Sequence, residues 1–278
     1  VRGVMVTGAS CLLVLAAYIS ISFIQYRSAG GEGMYLTESI PWFKPMHICY
    51  AVGVDGISVV MLLLSSIIVF TGTFASWQLK PLTKEYFLWF TLLSTGVFGF
   101  FISVDLFTMF MFYEVALIPM FLLIGVWGSG PKEYAAMKLT LMLMGGSALL
   151  ILGILGVYFG YGAETMNVNE IAQIHANGFI MNHSLQRMCF PLVFVGFGVL
   201  GALFPFHTWS PDGHASAPTA VSMLHAGVLM KLGGYGCFRI AMFLMPEATQ
   251  ELSWIFLILT TISVVYGAFS ACVQTDLK

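Results

Sequence analysis

Stretches of apolar residues long enough to cross a bilayer recur along the whole of this chain. A crossing needs about 20 mostly apolar residues, and roughly eight stretches qualify: 4 to 26, 56 to 77, 86 to 103, 106 to 127, 134 to 160, 188 to 206, 217 to 245 and 253 to 273. In hydrocarbon each backbone N–H and C=O must be satisfied inside the protein, and stretches of this length achieve that as helices. The expectation is an all-α, polytopic transmembrane helix bundle forming a single membrane domain over residues 1 to 278. Of the residues, 59% are hydrophobic and 9% charged, whereas soluble domains carry about a quarter of their residues as charges. A soluble fold is excluded, and the lipid bilayer is the first partner implied. A net charge of -2 with no basic run leaves no footprint for nucleic acid. The five cysteines, Cys11, Cys49, Cys189, Cys237 and Cys272, form no CxxC or CxxH pair. They read as free thiols packed as small apolar residues, without a metal site or a disulfide framework. The start at Val1 and the stop at Lys278 after a polar turn read as a fragment truncated at both ends.

The first connection carries Arg27, Gly30, Gly31, Glu32, Glu38, Pro41 and Pro45, and the fifth carries Glu164, Asn167, Asn169, Glu170 and Asn182. Both are expected to be long aqueous loops. The others are short turns such as Lys80-Pro81-Leu82-Thr83-Lys84 and Gly128-Ser129-Gly130-Pro131-Lys132, which make sequential helices antiparallel neighbours. Alternating sides then put Arg2, Lys80, Lys84, Lys132 and Lys278 on one face, and Arg27, Lys44 and Arg187 on the other among acidic residues. The excess of basic residues assigns the first face to the cytoplasm. Glycines inside the stretches, including Gly145, Gly146, Gly153, Gly156, Gly196, Gly198 and Gly201, are read as sites of close helix packing.

An ionised side chain deep in hydrocarbon is costly, so a charge far from both ends of a crossing points to function. Glu114, in Phe112-Tyr113-Glu114-Val115-Ala116, and Lys231, in Leu229-Met230-Lys231-Leu232-Gly233, are so placed. Desolvation disfavours the charged form of both, which suits a proton relay better than a static pair. Lys138 and Arg239 lie nearer the ends of their stretches, where they also have the reach to find head groups. Asp105, in the tight turn before the fourth stretch, is placed to cap that helix. The segment Phe204-Pro205-Phe206-His207-Thr208-Trp209-Ser210-Pro211-Asp212-Gly213-His214 approaches Pro218, and the three prolines predict a broken helix near Pro205. Unwound backbone at membrane depth is how transporters build ion sites. No third ligand at metal spacing accompanies His207 and His214. Proton exchange or pinning of the segment is expected of these two histidines instead.

The run His207-Thr208-Trp209-Ser210-Pro211-Asp212-Gly213-His214, then Ala217-Pro218-Thr219-Ala220 and Lys231-Leu232-Gly233-Gly234-Tyr235-Gly236, resembles the signature of the antiporter-like, proton-pumping membrane subunits of respiratory complex I. Phe112-Tyr113-Glu114-Val115-Ala116-Leu117-Ile118-Pro119-Met120 and Val54-Asp55-Gly56-Ile57-Ser58 look most like the subunit M (subunit 4) branch of NADH:quinone oxidoreductase. The stretches would correspond to that family's second to ninth spans. The resemblance implies a bacterial inner membrane and neighbouring complex I membrane subunits, two of them antiporter-like. It also implies no cofactor in this chain, with NADH, FMN, iron–sulfur clusters and quinone held by other subunits. Glu114 would be the family's buried glutamate and Lys231 a lysine of its proton path. Leu200 stands where the family usually has a lysine that pairs with the glutamate. His225 stands where an aliphatic residue is usual and, at an expected depth shared with Leu200, is the candidate substitute, with Lys138 as its rival. Two other readings stay open: a subunit of a multisubunit Na+/H+ antiporter, and a non-pumping structural membrane subunit.

Overall fold

The structure, a computed structural model, describes residues 1–178, 181–274 and 276. In chain order it forms α1 (Arg2–Ser28), β1 (Tyr35–Phe43), β2 (Ile48–Val54), α2 (Gly56–Ala75), α3 (Thr83–Ile102), α4 (Leu106–Trp127), α5 (Lys132–Gly160), α6 (Val168–Ala176), α7 (His183–Leu200), α8 (Trp209–Ser216), α9 (Thr219–Leu224), α10 (Met230–Gly236) and α11 (Pro246–Cys272). Among the described residues seven of these helices are long and apolar enough to cross a membrane. A further crossing is an interrupted helix, in which the π segment His225–Leu229 joins α9 to α10 and a second, Cys237–Met242, follows α10. The chain is an all-α integral membrane bundle with a two-stranded ribbon at one end.

Helix starts are written locally. Asp55 accepts a bond from Ser58 N (2.8 Å) while Ser58 Oγ accepts one from Asp55 N (2.7 Å), a reciprocal box that begins α2. Asn167 and Asn182 cap α6 and α7 one way only, each side-chain oxygen accepting from the backbone N–H two residues on. Small residues then set how closely the helices approach. A Cβ on Gly146 of α5 would lie 2.9 Å from Val199 Cβ and 3.1 Å from Gly196 O, so α5 and α7 meet nearly backbone to backbone. At one end Arg2 lies over the Trp77 ring at 5.7 Å, Trp127 Nε1 donates to Pro81 O at 2.9 Å, and Ser129 N donates to Ser216 O at 2.9 Å. At the other, Val104 N bonds Ala51 O and Leu106 N bonds Met166 O, each at 2.9 Å.

Four expectations need correction. The first connection is not simply an aqueous loop: β1 and β2 pair antiparallel, and Ile48, Ala51 and Val54 of β2 are buried against the bundle. The fifth connection contains α6, whose Val168 and Ile171 are buried. The expected 188–206 helix begins at His183 and already ends at Leu200, because Ala202 turns left-handed (φ 55) and Leu203 N bonds back to Gly198 O at 2.8 Å. The segment after the break, expected to be unwound, winds up again as α8. Lys278 of the basic face lies outside the described residues.

Candidate functional site

The break after α7 turns the chain back on itself. Trp209, the first residue of α8, donates its indole N–H to Val199 O at 3.1 Å, which ties α8 to the end of α7. Pro218 then ends α8 and opens α9, so α8 lies beside the start of the interrupted helix. This layout sandwiches His225, the first residue of the π segment. Its ring stacks on His214 (centroids 4.3 Å, 22° between planes) and on Trp209 (5.2 Å, 20°). His225 is fully buried, and neither ring nitrogen has a hydrogen-bond partner. Unpartnered buried polar atoms are uncommon in folded proteins and cost about 1–3 kcal/mol each. In the neutral ring one nitrogen carries a proton and the other is free to accept one. His214 Nδ1 lies 3.1 Å from Ser222 Oγ.

One ammonium group acts on the stack and another holds α8. Lys138, on α5, donates to Asp212 Oδ2 of α8 at 2.7 Å, with side chains 23% and 41% exposed respectively. Lys231, on α10, donates to Ala226 O inside the π segment at 2.6 Å, and its charge acts on both His214 and His225. A π turn leaves carbonyls out of regular α-helical register, and the Lys231 ammonium occupies one of them. Glu114, midway along α4, has a buried Oε1 with no hydrogen-bond partner.

The structure thus gathers His214, His225 and Lys231 at the helix break and links Lys138 to them through Asp212. Other candidates stand elsewhere. Asp105 is at the far end, capping α4 by accepting from Phe107 N (3.0 Å) and Thr108 N (3.1 Å) and holding β2 through Cys49 N (3.1 Å). Burial pushes its carboxyl above the ordinary aspartate value; the three N–H donors oppose that rise and nearby Glu170 adds to it. Arg239 pairs with Asp55 at 3.2 Å, the two side chains only 16% and 19% exposed. His207 packs between Phe204 (5.6 Å) and Tyr266 (4.8 Å), its Nδ1 buried and unpartnered. Among the described residues, no three His, Cys, Asp or Glu side chains converge as a metal site requires.

The expected alignment of Leu200 with His225 is not found. A Cβ on Gly233 would lie 2.5 Å from Phe197 O and 2.6 Å from Gly201 N, so the end of α7 stands beside the residues that follow Lys231. Trp209 links it to His225, bonding Val199 O and stacking on the imidazole. The depth estimate counted from residue 188, whereas the helix begins at His183, five residues earlier. Asp212 was absent from the expected set. A helix-start signal, Pro211 and Asp212 within the first turn after Thr208, marked its position, but the three prolines masked that signal.

The family described as NADH:quinone oxidoreductase/Mrp antiporter, TM, matches residues 103–278. NAD(P)H-quinone oxidoreductase chain 4 3 of a Picosynechococcus species is 35% identical over 96% of this chain and 48% of its own length. NADH-quinone oxidoreductase subunit M of Rhodobacter capsulatus is 31% identical over 95% and 52%. The chain spans about half the length of the curated relatives it matches. Its fold is that of a chain of respiratory complex I from Thermus thermophilus (TM-score 0.86, 24% identity, 98% of this chain and 55% of that one). A chain of the Mrp complex from a Dietzia species follows at TM-score 0.75 and 20% identity, over 98% and 52%.

Proposed function

Because the chain belongs to the NADH:quinone oxidoreductase/Mrp antiporter membrane family, we propose that it is part of a proton-translocating membrane subunit of a complex I-type NADH:quinone oxidoreductase. In this reading electrons pass through other subunits, which hold NADH, FMN, iron–sulfur clusters and quinone, and this chain moves protons without a cofactor of its own. Its partners are the other membrane subunits of that complex, two of them antiporter-like, in a bacterial inner membrane. The observation that supports it best is His225: a fully buried imidazole, both nitrogens unpartnered, at a helix break and within reach of the Lys231 charge. A residue kept only for packing gains nothing from a ring whose polar atoms are left unsatisfied.

Chemically, the neutral His225 ring accepts a proton at its free nitrogen from the His214 side and passes one on toward Lys231 only after the Lys231 ammonium has itself given up a proton, since an ammonium has no acceptor site. Glu114, with its free Oε1, is a second station within the membrane. Lys138 is less suited to replace the lysine absent at Leu200, because its ammonium is already held by Asp212. Glu114→Gln and His225→Leu are each expected to cut proton uptake by membrane vesicles at least tenfold at equal complex content, within the 10²–10⁴-fold typical of a positioned acid or base. Normal pumping by either variant removes that residue from the path. The likeness to the Mrp complex favours a second reading, a Na+/H+ antiporter subunit. Proton uptake that needs sodium and persists without NADH would select it.

A further inference from the structure

The ion pair between Lys138 and Asp212 has no part in the scheme above, yet Asp212 stands on α8 two residues before His214 of the imidazole stack. We propose that Asp212 is a proton-carrying residue: the carboxylate at the mouth of the path that takes protons from water and delivers them to His214, with Lys138 as the positioning residue that holds it there. The inference rests on the proton-translocating reading and deepens it.

Three observations converge. Exposure falls stepwise along the group: the Asp212 side chain is 41% exposed, His214 is half-buried and His225 is fully buried. A proton moving along this order passes from water to the interior. Asp212 also shares α8 with both rings that enclose His225, Trp209 on one side and His214 on the other. The end of α8 is fixed to the turn before α5 by Ser129 N bonding Ser216 O at 2.9 Å, the end that also carries Arg2 and Pro81. The mouth therefore opens on the face with the basic excess. Finally, ion pairs at such exposure contribute about 0–1 kcal/mol, so stability alone is a weak reason for an aspartate at this place.

The transfer conserves protons and involves no electrons. The Asp212 carboxylate takes H⁺ from water at the mouth, then gives it up through water to the His214 ring nitrogen not engaged with Ser222, since residues two apart on a helix do not face each other. The imidazolium passes it on to His225. Asp212 returns to its ionised form and again accepts from Lys138 Nζ.

The test uses the complete chain assembled in its native membrane, with vesicle proton uptake normalised to assembled complex. NADH-driven proton uptake by the unaltered complex serves as the control for the underlying reading: if there is none, that reading fails by itself. Asp212→Asn should lower uptake at least tenfold, and Asp212→Glu should retain most of it. In the double variant Lys138→Met with Asp212→Leu, a merely structural pair would be replaced without loss, since well-packed apolar side chains often substitute for ion pairs. The proposal expects uptake to stay low there. Asp212→Cys supplies the decisive arm: carboxymethylation with iodoacetate restores a carboxylate and should restore uptake, while iodoacetamide should not. Normal uptake by the Asn or Cys variant, normal uptake by the double variant, rescue by both reagents or by neither, or failure of every Asp212 variant to assemble would each overturn the proposal.

Discussion

Asp105 shows how much one side chain can hold together. Its two carboxylate oxygens accept from the first turn of α4 and from Cys49 of β2, so it both starts a helix and seats the ribbon. Removing an N-cap costs about 0.5–2 kcal/mol, and a buried N–H left without an acceptor costs about 1–3. Asp105→Ala should therefore destabilise the protein by about 2–4 kcal/mol in a thermal melt in detergent, whereas Asp105→Asn, which keeps an accepting oxygen, should cost much less. The two should also differ from wild type with pH. Because burial raises the Asp105 carboxyl, the folded protein holds this proton more firmly than the unfolded chain does. The group thus lowers stability as pH climbs through and above the ordinary carboxyl range, and Asp105→Asn should remove that slope. The cap was legible because it is local, an aspartate three residues before Thr108. Asp212 was not, because its partner Lys138 lies 74 residues away in sequence.

At the scale of elements, adjacent glycines make opposite predictions. Gly233 faces the backbone of Phe197 and Gly201, where a methyl group has no room, while Gly234 faces open space. Gly233→Ala should force the end of α7 away from α10 and lower both assembly and proton uptake. Gly234→Ala should leave both within about 0.5 kcal/mol and normal rates, as exposed substitutions usually do; assembled-complex yield read beside uptake separates the two. Long apolar runs made the crossings legible, because hydrocarbon thickness leaves helices little choice of length. The ribbon was hidden because β1 (Tyr-Leu-Thr-Glu-Ser-Ile-Pro-Trp-Phe) includes a proline and lacks strict alternation. The π segments were hidden for another reason: adding a residue to a turn changes neither composition nor hydropathy.

Across the whole molecule, Arg239 joins the far end of the interrupted helix to the start of α2 through Asp55. Its side chain and that of Asp55 are mostly buried, so cutting the pair leaves a charge poorly solvated. Arg239→Met should lower stability by about 2 kcal/mol, measured as a fall in Tm in detergent; an unchanged Tm would mean that water reaches Asp55. The same helix is held at its other end by Pro218 and by α8, so neither terminus is free to slide. Between these anchors lies the π segment His225–Leu229, and Arg239 itself stands in the second. An α-helix turns about 100° per residue, and a π turn takes in one residue more than an α turn. Everything beyond His225–Leu229 is therefore out of phase with a continuous α-helix by about that angle. Lys231 owes its azimuth to this insertion: wound as plain α-helix between the same ends, the chain would aim the ammonium about a quarter-turn away from where it now points.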